Sequence, residues 1–305
     1  MKRRHFLGAA AFASASTLVA RSAHGEEANG SSASGSAPTP PIPITSLGKS
    51  GLSVTRLGAG TGMRGYFRRS NQTRLGEEKF HSLLRYAYDQ GIRYFDLADL
   101  YGTHPDLIPA LKGVDRSEIT LVSKIWWRDG GLQEQERLDA DVLVDRFLGE
   151  IQTDYIDLVH LHCVTDADWP SKLAKQMDLL EELKQKGKIR AHGVSVHAIP
   201  ALEVAAEHPW VDAVHTRINP YGLSMDDKPE VVVPILQKMH ENGKGITGMK
   251  IVGEGKLRDD PAKKKESVEY VYGLGCVDTI IVGFEKPEEI DEIKKLALAA
   301  LAKGA

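Results

Sequence analysis

The stretch "YIDLVHLHCVTDADWPSKLAKQMDLLEELKQKG" (residues 155–187) has two halves with different periods. Its first part, "YIDLVHLHC", is a short β-rich run. Its second part, "PSKLAKQMDLLEELKQKG", is amphipathic. Leu179, Leu180 and Leu183 fall on one stripe with Lys and Glu opposite, at the three- and four-residue spacing of a helix. Gly187 ends it, as a helix C-terminus prefers. The stretch therefore predicts one strand followed by one helix.

The same unit recurs in both directions along the chain. "VTRLGAGTG" (54–62) precedes "EEKFHSLLRYAYDQG" (77–91), and "IRYFDLADLYG" (92–102) precedes "HPDLIPALKG" (104–113). "EITLVSKIWW" (118–127) precedes a helical stretch through residue 152. "IRAHGVSVH" (189–197), "VDAVHTRI" (211–218), "KGITGMKIVG" (244–253) and "VDTIIVGF" (277–284) each precede an amphipathic segment, for eight units in all. Eight βα units in about 260 residues predict a closed (β/α)8 barrel of the TIM type. An open doubly wound sheet is the competing arrangement. It carries a GxGxxG turn after its first strand, whereas "GAGTGMRG" (58–65) has Met63 where the third glycine belongs.

The chain outside these units reads differently. Residues 1–25 have a basic start, a short Ala-rich apolar run and small residues near the end, the pattern of a signal peptide. The run is too short and too mild for a stable membrane span. Arg3-Arg4 followed by "HFL" resembles the twin-arginine (Tat) export signal. Residues 26–43 are rich in Gly, Ser and Pro and predict a disordered linker, leaving 44–305 as the barrel. The expectation is an exported protein, periplasmic or extracellular, carried folded by the Tat machinery with its cofactor already bound. A net charge of -3 over 305 residues gives no reason to expect nucleic acid or an anionic membrane as partner. Cys163 and Cys276 form neither a metal motif nor a disulfide framework.

Active sites of such barrels lie at the C-terminal strand ends. Reading those ends gives Asp96 and Tyr101, Lys124, His162, Ser195 and His197, His215 and Asn219, and Lys250. Four adjacent ends thus bring an acid, a phenol, an amine and an imidazole to one rim. A phenol is a poor acid near neutrality, and a neighbouring ammonium favours phenolate. Lys124, held by Asp96, is expected to lower the pKa of Tyr101. Tyr101 would then protonate a carbonyl oxygen as hydride reaches the carbon, with His162 orienting that carbonyl. Hydride itself requires a nicotinamide.

The sequence resembles the aldo-keto reductases over about residues 45–300. The stretches that carry the resemblance are "LGKSGLSVTRLGAGT", "GIRYFDLADLYG", "ITLVSKIW", "TDYIDLVHLHC", "GKIRAHGVSVH" and "GITGMKIVG". It implies a catalytic tetrad of Asp96, Tyr101, Lys124 and His162. His162 is preferred over His160 by its spacing from Asp157. It also implies NAD(H) or NADP(H) across the barrel mouth, and a small carbonyl or alcohol as substrate. The cofactor-binding candidates are Gly60, Thr61, Ser195, His215, Met249, Lys250, Gly253, Lys256, Phe284, Lys286 and Glu289. In the family pattern Val196 replaces an amide, His215 a glutamine and Met249 a stacking aromatic. Glu285 and Glu289 stand where a 2′-phosphate would bind, which favours NAD(H) over NADP(H). Tyr66, Trp126, Trp127 and Tyr221 are candidates for the substrate pocket. Two other readings compete: a metal-dependent hydrolase or isomerase using His160, His162, His197 and His215, and a redox-inactive binding protein on the same barrel.

Overall fold

A computed structural model describes residues 41–304. The signal peptide and nearly all of the linker lie outside the described residues. The linker's last residues, Pro41 to Pro43, are inside them, and Ile42 is buried in the core. Ordered packing therefore starts at Ile42 rather than Ile44. An isoleucine between two prolines reaches the core from backbone that is already stiff.

An antiparallel hairpin comes first, β1 (Ile44–Ser46) and β2 (Ser53–Thr55). Eight parallel strands follow: β3 (Leu57–Gly60), β4 (Tyr94–Asp96), β5 (Thr120–Ile125), β6 (Ile156–Val164), β7 (Ile189–Val196), β8 (Ala213–Arg217), β9 (Gly245–Met249) and β10 (Thr279–Gly283). They pair in chain order, and β10 closes on β3. The helices that cross between them are α1 (Glu77–Asp89), α2 (His104–Ala110), α3 (Ala140–Ile151), α4 (Trp169–Lys172), α5 (Ala174–Gln185), α6 (Ile199–Glu207), α7 (Pro229–Glu241) and α8 (Pro261–Gly273), with α9 (Pro287–Lys303) last. This is the (β/α)8 barrel that the repeated units predict.

The helices bury their apolar stripes on the outside of the barrel. In α5 the buried residues are Met177, Leu180 and Leu183. Leu179, expected on the same stripe, is only partly buried, because a single step turns it about 100° from Leu180. Gly91, Gly187 and Gly243 all follow helix ends with positive φ, as the sequence suggests.

Inside the barrel, strand alternation stacks side chains in layers. Tyr94, Val122, Leu158, Ala191 and Ala213 form a lower layer with Leu47, Leu52 and Val54 of the hairpin segment. Two residues further along each strand stand Asp96, Lys124, His160, Gly193 and His215. The parallel register sets Asp96 beside Val122, Lys124 beside His160, and Ser195 beside His215. A period of two therefore carries the interior from apolar to polar in one step.

Candidate active site

Asp96 ends β4 and Lys124 lies near the end of β5, only 3% and 1% exposed. The Lys124 ammonium donates to Asp96 Oδ1 and, at 2.9 Å, to the Leu97 carbonyl. Tyr101 closes a short 3-10 turn, Asp99–Tyr101, whose chain reversal falls on Gly102 at φ 69°. Asp99, the other acid of this stretch, anchors the turn: it accepts from Arg68 Nε at 3.0 Å and Arg146 Nη2 at 2.6 Å. The Tyr101 hydroxyl lies 3.3 Å from His162 Nε2. The Lys124 ammonium stands 4.9 Å from the centre of the Tyr101 ring.

Two glycines grip that ring. A Cβ on Gly62 would stand 2.2 Å from Tyr101 Cε2 and Cζ, and one on Gly65 would stand 2.4 Å from Cδ1, on the opposite ring edge. In the sequence these glycines matter only as a failed dinucleotide fingerprint. In the fold they are the space that Tyr101 occupies.

The electrostatics correct one expectation. The Tyr101 phenol is pushed well above its ordinary value, first by burial and then by the nearby Asp96 charge. The expected lowering by Lys124 is outweighed: its ammonium is paired with Asp96, whose charge acts on the phenol in the opposite sense. Burial drives the Asp96 carboxyl up and the Lys124 ammonium down, and their mutual attraction opposes both shifts. Burial, then the Lys124 charge, holds His162 well below the usual imidazole range, so it is neutral near pH 7. A protonated phenol beside a neutral imidazole is a proton donor to an incoming carbonyl oxygen.

A groove of about 460 Å³ opens beside this cluster, within the size range of ligand sites. It runs from Asp96 and Tyr101 past Met249, Lys250 and Lys256 to Phe284, Glu289 and Ile293. Gly60 lines it as well. Lys250, Gly253, Glu254 and Gly255 all have positive φ and coil the segment after β9 into a tight turn.

Other candidates are not brought to the groove. Thr61 is buried and hydrogen-bonds the Asp96 carbonyl and Thr103 Oγ1, both at 2.8 Å. Ser195 Oγ accepts from the Cys163 backbone N–H at 2.9 Å, where β6 bulges and Cys163 takes φ 60°. Gly253 packs against Leu223 behind the turn, and Lys286 caps α9 outside the lining. His215 is 0% exposed and is not part of the groove lining, although its Nδ1 lies 3.6 Å from Asp96 Oδ1. Its Nε2 lies 2.9 Å from the Tyr94 hydroxyl, and its ring packs edge-on to His160 at 4.4 Å. His160 is the core residue below His162.

Sequence reasoning missed Arg258. Its guanidinium reaches Glu285 at 2.5 Å and Glu289 at 2.5 Å, and Asn71 Nδ2 donates to Glu285 Oε1 at 2.6 Å. Arg258 lies in a different βα loop from its partners, so only three-dimensional proximity reveals it.

On the opposite side of the tetrad, Trp126 is buried with its ring edge against His162 at 5.4 Å. Trp127 Nε1 donates to the His162 carbonyl at 2.8 Å. Tyr66, on the loop after β3, is 45% exposed, and its hydroxyl abuts Gly130 on the loop that carries Trp126 and Trp127. Tyr221 turns away: its hydroxyl donates to Glu266 of α8 at 2.5 Å, which removes it from the pocket. Cys163 and Cys276 are both free, and Cys276 lies just before β10 rather than in it. Among the described residues no three His, Cys, Asp or Glu side chains converge to hold a metal.

A closed parallel barrel carrying this Asp–Lys–Tyr–His cluster beside a long groove is the arrangement that the sequence resemblance implies. The aldo/keto reductase family model matches residues 56–270, and the chain belongs to that family. Among curated relatives, aldo-keto reductase YhdN of Bacillus subtilis is 30% identical over 203 residues, covering 62% of this chain and 57% of YhdN. Methylglyoxal reductase DkgB of Salmonella typhi is 29% identical over 156 residues, covering 48% of this chain and 55% of DkgB. The chain thus spans less than two thirds of the length of these relatives. Among solved structures, a Pseudomonas aeruginosa protein assigned as an aldo-keto reductase superposes with a TM-score of 0.68 at 26% identity. That match covers 85% of this chain and 95% of the other.

Proposed function

We propose that this chain is an NAD(P)-dependent oxidoreductase that interconverts a small carbonyl compound and its alcohol, with Tyr101 as the general acid. The observation that carries this reading is the Tyr101 hydroxyl, 3.3 Å from His162 Nε2, at the inner end of a long groove. The groove suits a dinucleotide. Its inner end holds the proton donor, and its middle offers Lys250, Lys256 and the coiled turn after β9, a setting for a pyrophosphate. Its outer end is walled by Phe284 and Ile293, apolar surfaces for an adenine. A nicotinamide bound at the inner end supplies the hydride, which no side chain can.

The chain's own residues do the rest. Tyr101 keeps its proton at neutral pH and delivers it to the substrate oxygen. Lys124 and Asp96 hold the floor of the site. His162, neutral, positions the oxygen between its ring edge and the phenol. Arg258 is shared by Glu285 and Glu289. A 2′-phosphate would have to compete with two carboxylates for one guanidinium, which supports NAD(H) as the preferred form. The signal-like residues 1–25 support export by the Tat route. Titration of purified protein with NADH and NADPH, by quenching of tryptophan fluorescence, tests the reading. Binding of both with NADH tighter is expected, and binding of neither overturns it.

A further inference from the structure

The loop after β5, which follows Lys124, carries a cation with no carboxylate partner among the described residues. Arg128 follows Trp127, and its Nη1 donates to the Cys163 carbonyl at 3.3 Å. Cys163 directly follows His162, so the guanidinium is fastened to the strand end that carries the imidazole in contact with Tyr101. Its neighbour Trp127 is tied to the His162 carbonyl in the same way.

The acids that could neutralise Arg128 are engaged elsewhere. Asp129 turns out to Arg137 at 2.6 Å. Asp166 and Asp168, on the loop after β6, pair with Lys172 at 3.2 and 3.0 Å. Asp226, on the loop after β8, is taken by Arg217. Among the described residues no carboxylate lies within ion-pair distance of Arg128. Arg217 adds to the positive character of this side, since its Nη2 also donates to the His197 carbonyl at 2.8 Å. His197 in turn places Nε2 3.3 Å from Cys163 Sγ. It adds no charge: burial and the surrounding cations push it down to about 3.

A planar guanidinium with most of its donors unused, on the same loop as Trp126 and Trp127, is suited to a carboxylate on an apolar frame. We propose that Arg128 is the anion-recognition residue of the substrate pocket, and that the preferred substrates are aldehydes or ketones carrying a carboxylate. The proposal deepens the reductase reading and rests on it for the reaction, but not for the binding of the anion. The aromatic wall of Trp127 and Tyr66 would hold the frame while Tyr101 and His162 receive the carbonyl oxygen.

Matched probes test it. For 4-carboxybenzaldehyde against methyl 4-formylbenzoate, kcat/KM with the reduced nicotinamide the enzyme prefers should favour the acid by about tenfold or more, the scale of a charge-assisted hydrogen bond. Arg128→Gln should bring the ratio to near one. Arg128→Lys should keep part of it, because it retains charge without the fork. Calorimetry of benzoate against benzamide reads the same site without turnover. Arg128-dependent benzoate binding with neither aldehyde reduced would uphold the anion site and overturn the reductase reading. Reduction of both aldehydes with no preference for the acid would overturn the anion site and leave the reductase reading standing. No turnover and no preference for benzoate would overturn both.

Discussion

Gly62 is the position where one added methyl should disable the site and spare the fold. A Cβ there stands 2.2 Å from Cε2 and Cζ of Tyr101 and 2.5 Å from Cδ2. Ordinary contact begins at 3.4 Å, so the ring edge must retreat by about 1.2 Å, a misplacement of the size that costs about a hundredfold in rate. The ring cannot slide sideways, because Gly65 holds its other edge. The chain behind it cannot yield easily either, since Asp99 is fixed by Arg68 and Arg146. Gly62 does not have the positive φ that would strain alanine, so the methyl meets the ring rather than the backbone. Gly62→Ala should therefore lower kcat by about a hundredfold while the denaturation midpoint stays close to that of the native chain. The assay is a cycle with Tyr101→Phe. If Gly62 acts through the phenol, Gly62→Ala should cost nothing further once the hydroxyl is gone. An effect that multiplies with Tyr101→Phe, or a Gly62→Ala enzyme with near-native kcat, would refute the reasoning.

Three further expectations follow from the same geometry. Lys124→Met leaves Asp96 buried without its cation and should destabilise by about 3–5 kcal/mol, with Lys124→Met/Asp96→Asn recovering much of the loss in denaturant titration. If the double variant is no more stable than Lys124→Met, the pairing argument fails. Glu285→Gln with Glu289→Gln frees Arg258 and should shift the NADPH-to-NADH affinity ratio by about tenfold toward NADPH; no change would show that Arg258 does not reach the cofactor. Burial holds His160, His162 and His215 well below the usual imidazole range, and His197 at about 3. Below pH about 6.5 the unfolded chain takes up protons that the folded chain refuses, so stability should fall as pH falls, by about 1.4 kcal/mol per pH unit for each such histidine. Asp96, raised by burial, works in the opposite sense, so the clean readout is His160→Asn, whose pH slope should be shallower by one proton. A denaturation midpoint that holds steady or rises from pH 7 to pH 5 would contradict this.

The barrel is legible because its units alternate between two periods, and Asp96, Tyr101, Lys124 and His162 are legible because strand ends point to one rim. What sequence could not reveal depends on depth and register. His215 points inward in the layer of Asp96 and Lys124 and is fully enclosed, whereas Met249 reaches the groove. The sign of the Tyr101 shift also needed coordinates. Burial of the phenol and the charge of Asp96, which also pairs with Lys124, outweigh the lowering an isolated ammonium would give. Tyr221 follows a strand end like the clustered candidates, but its loop turns it to Glu266. The acidic pair Glu285 and Glu289 is visible in the chain. Arg258, which holds both, is brought to them only by adjacent strands.

The most direct test is to follow loss of reduced-nicotinamide absorbance when the purified barrel meets a small aldehyde, beside Tyr101→Phe under the same conditions. Turnover that falls at least a hundredfold in Tyr101→Phe, with cofactor binding retained, is the expected result, given the roughly 10²–10⁴-fold reach of general acid catalysis. Native turnover that survives loss of the hydroxyl would contradict the assignment of Tyr101 as the proton donor.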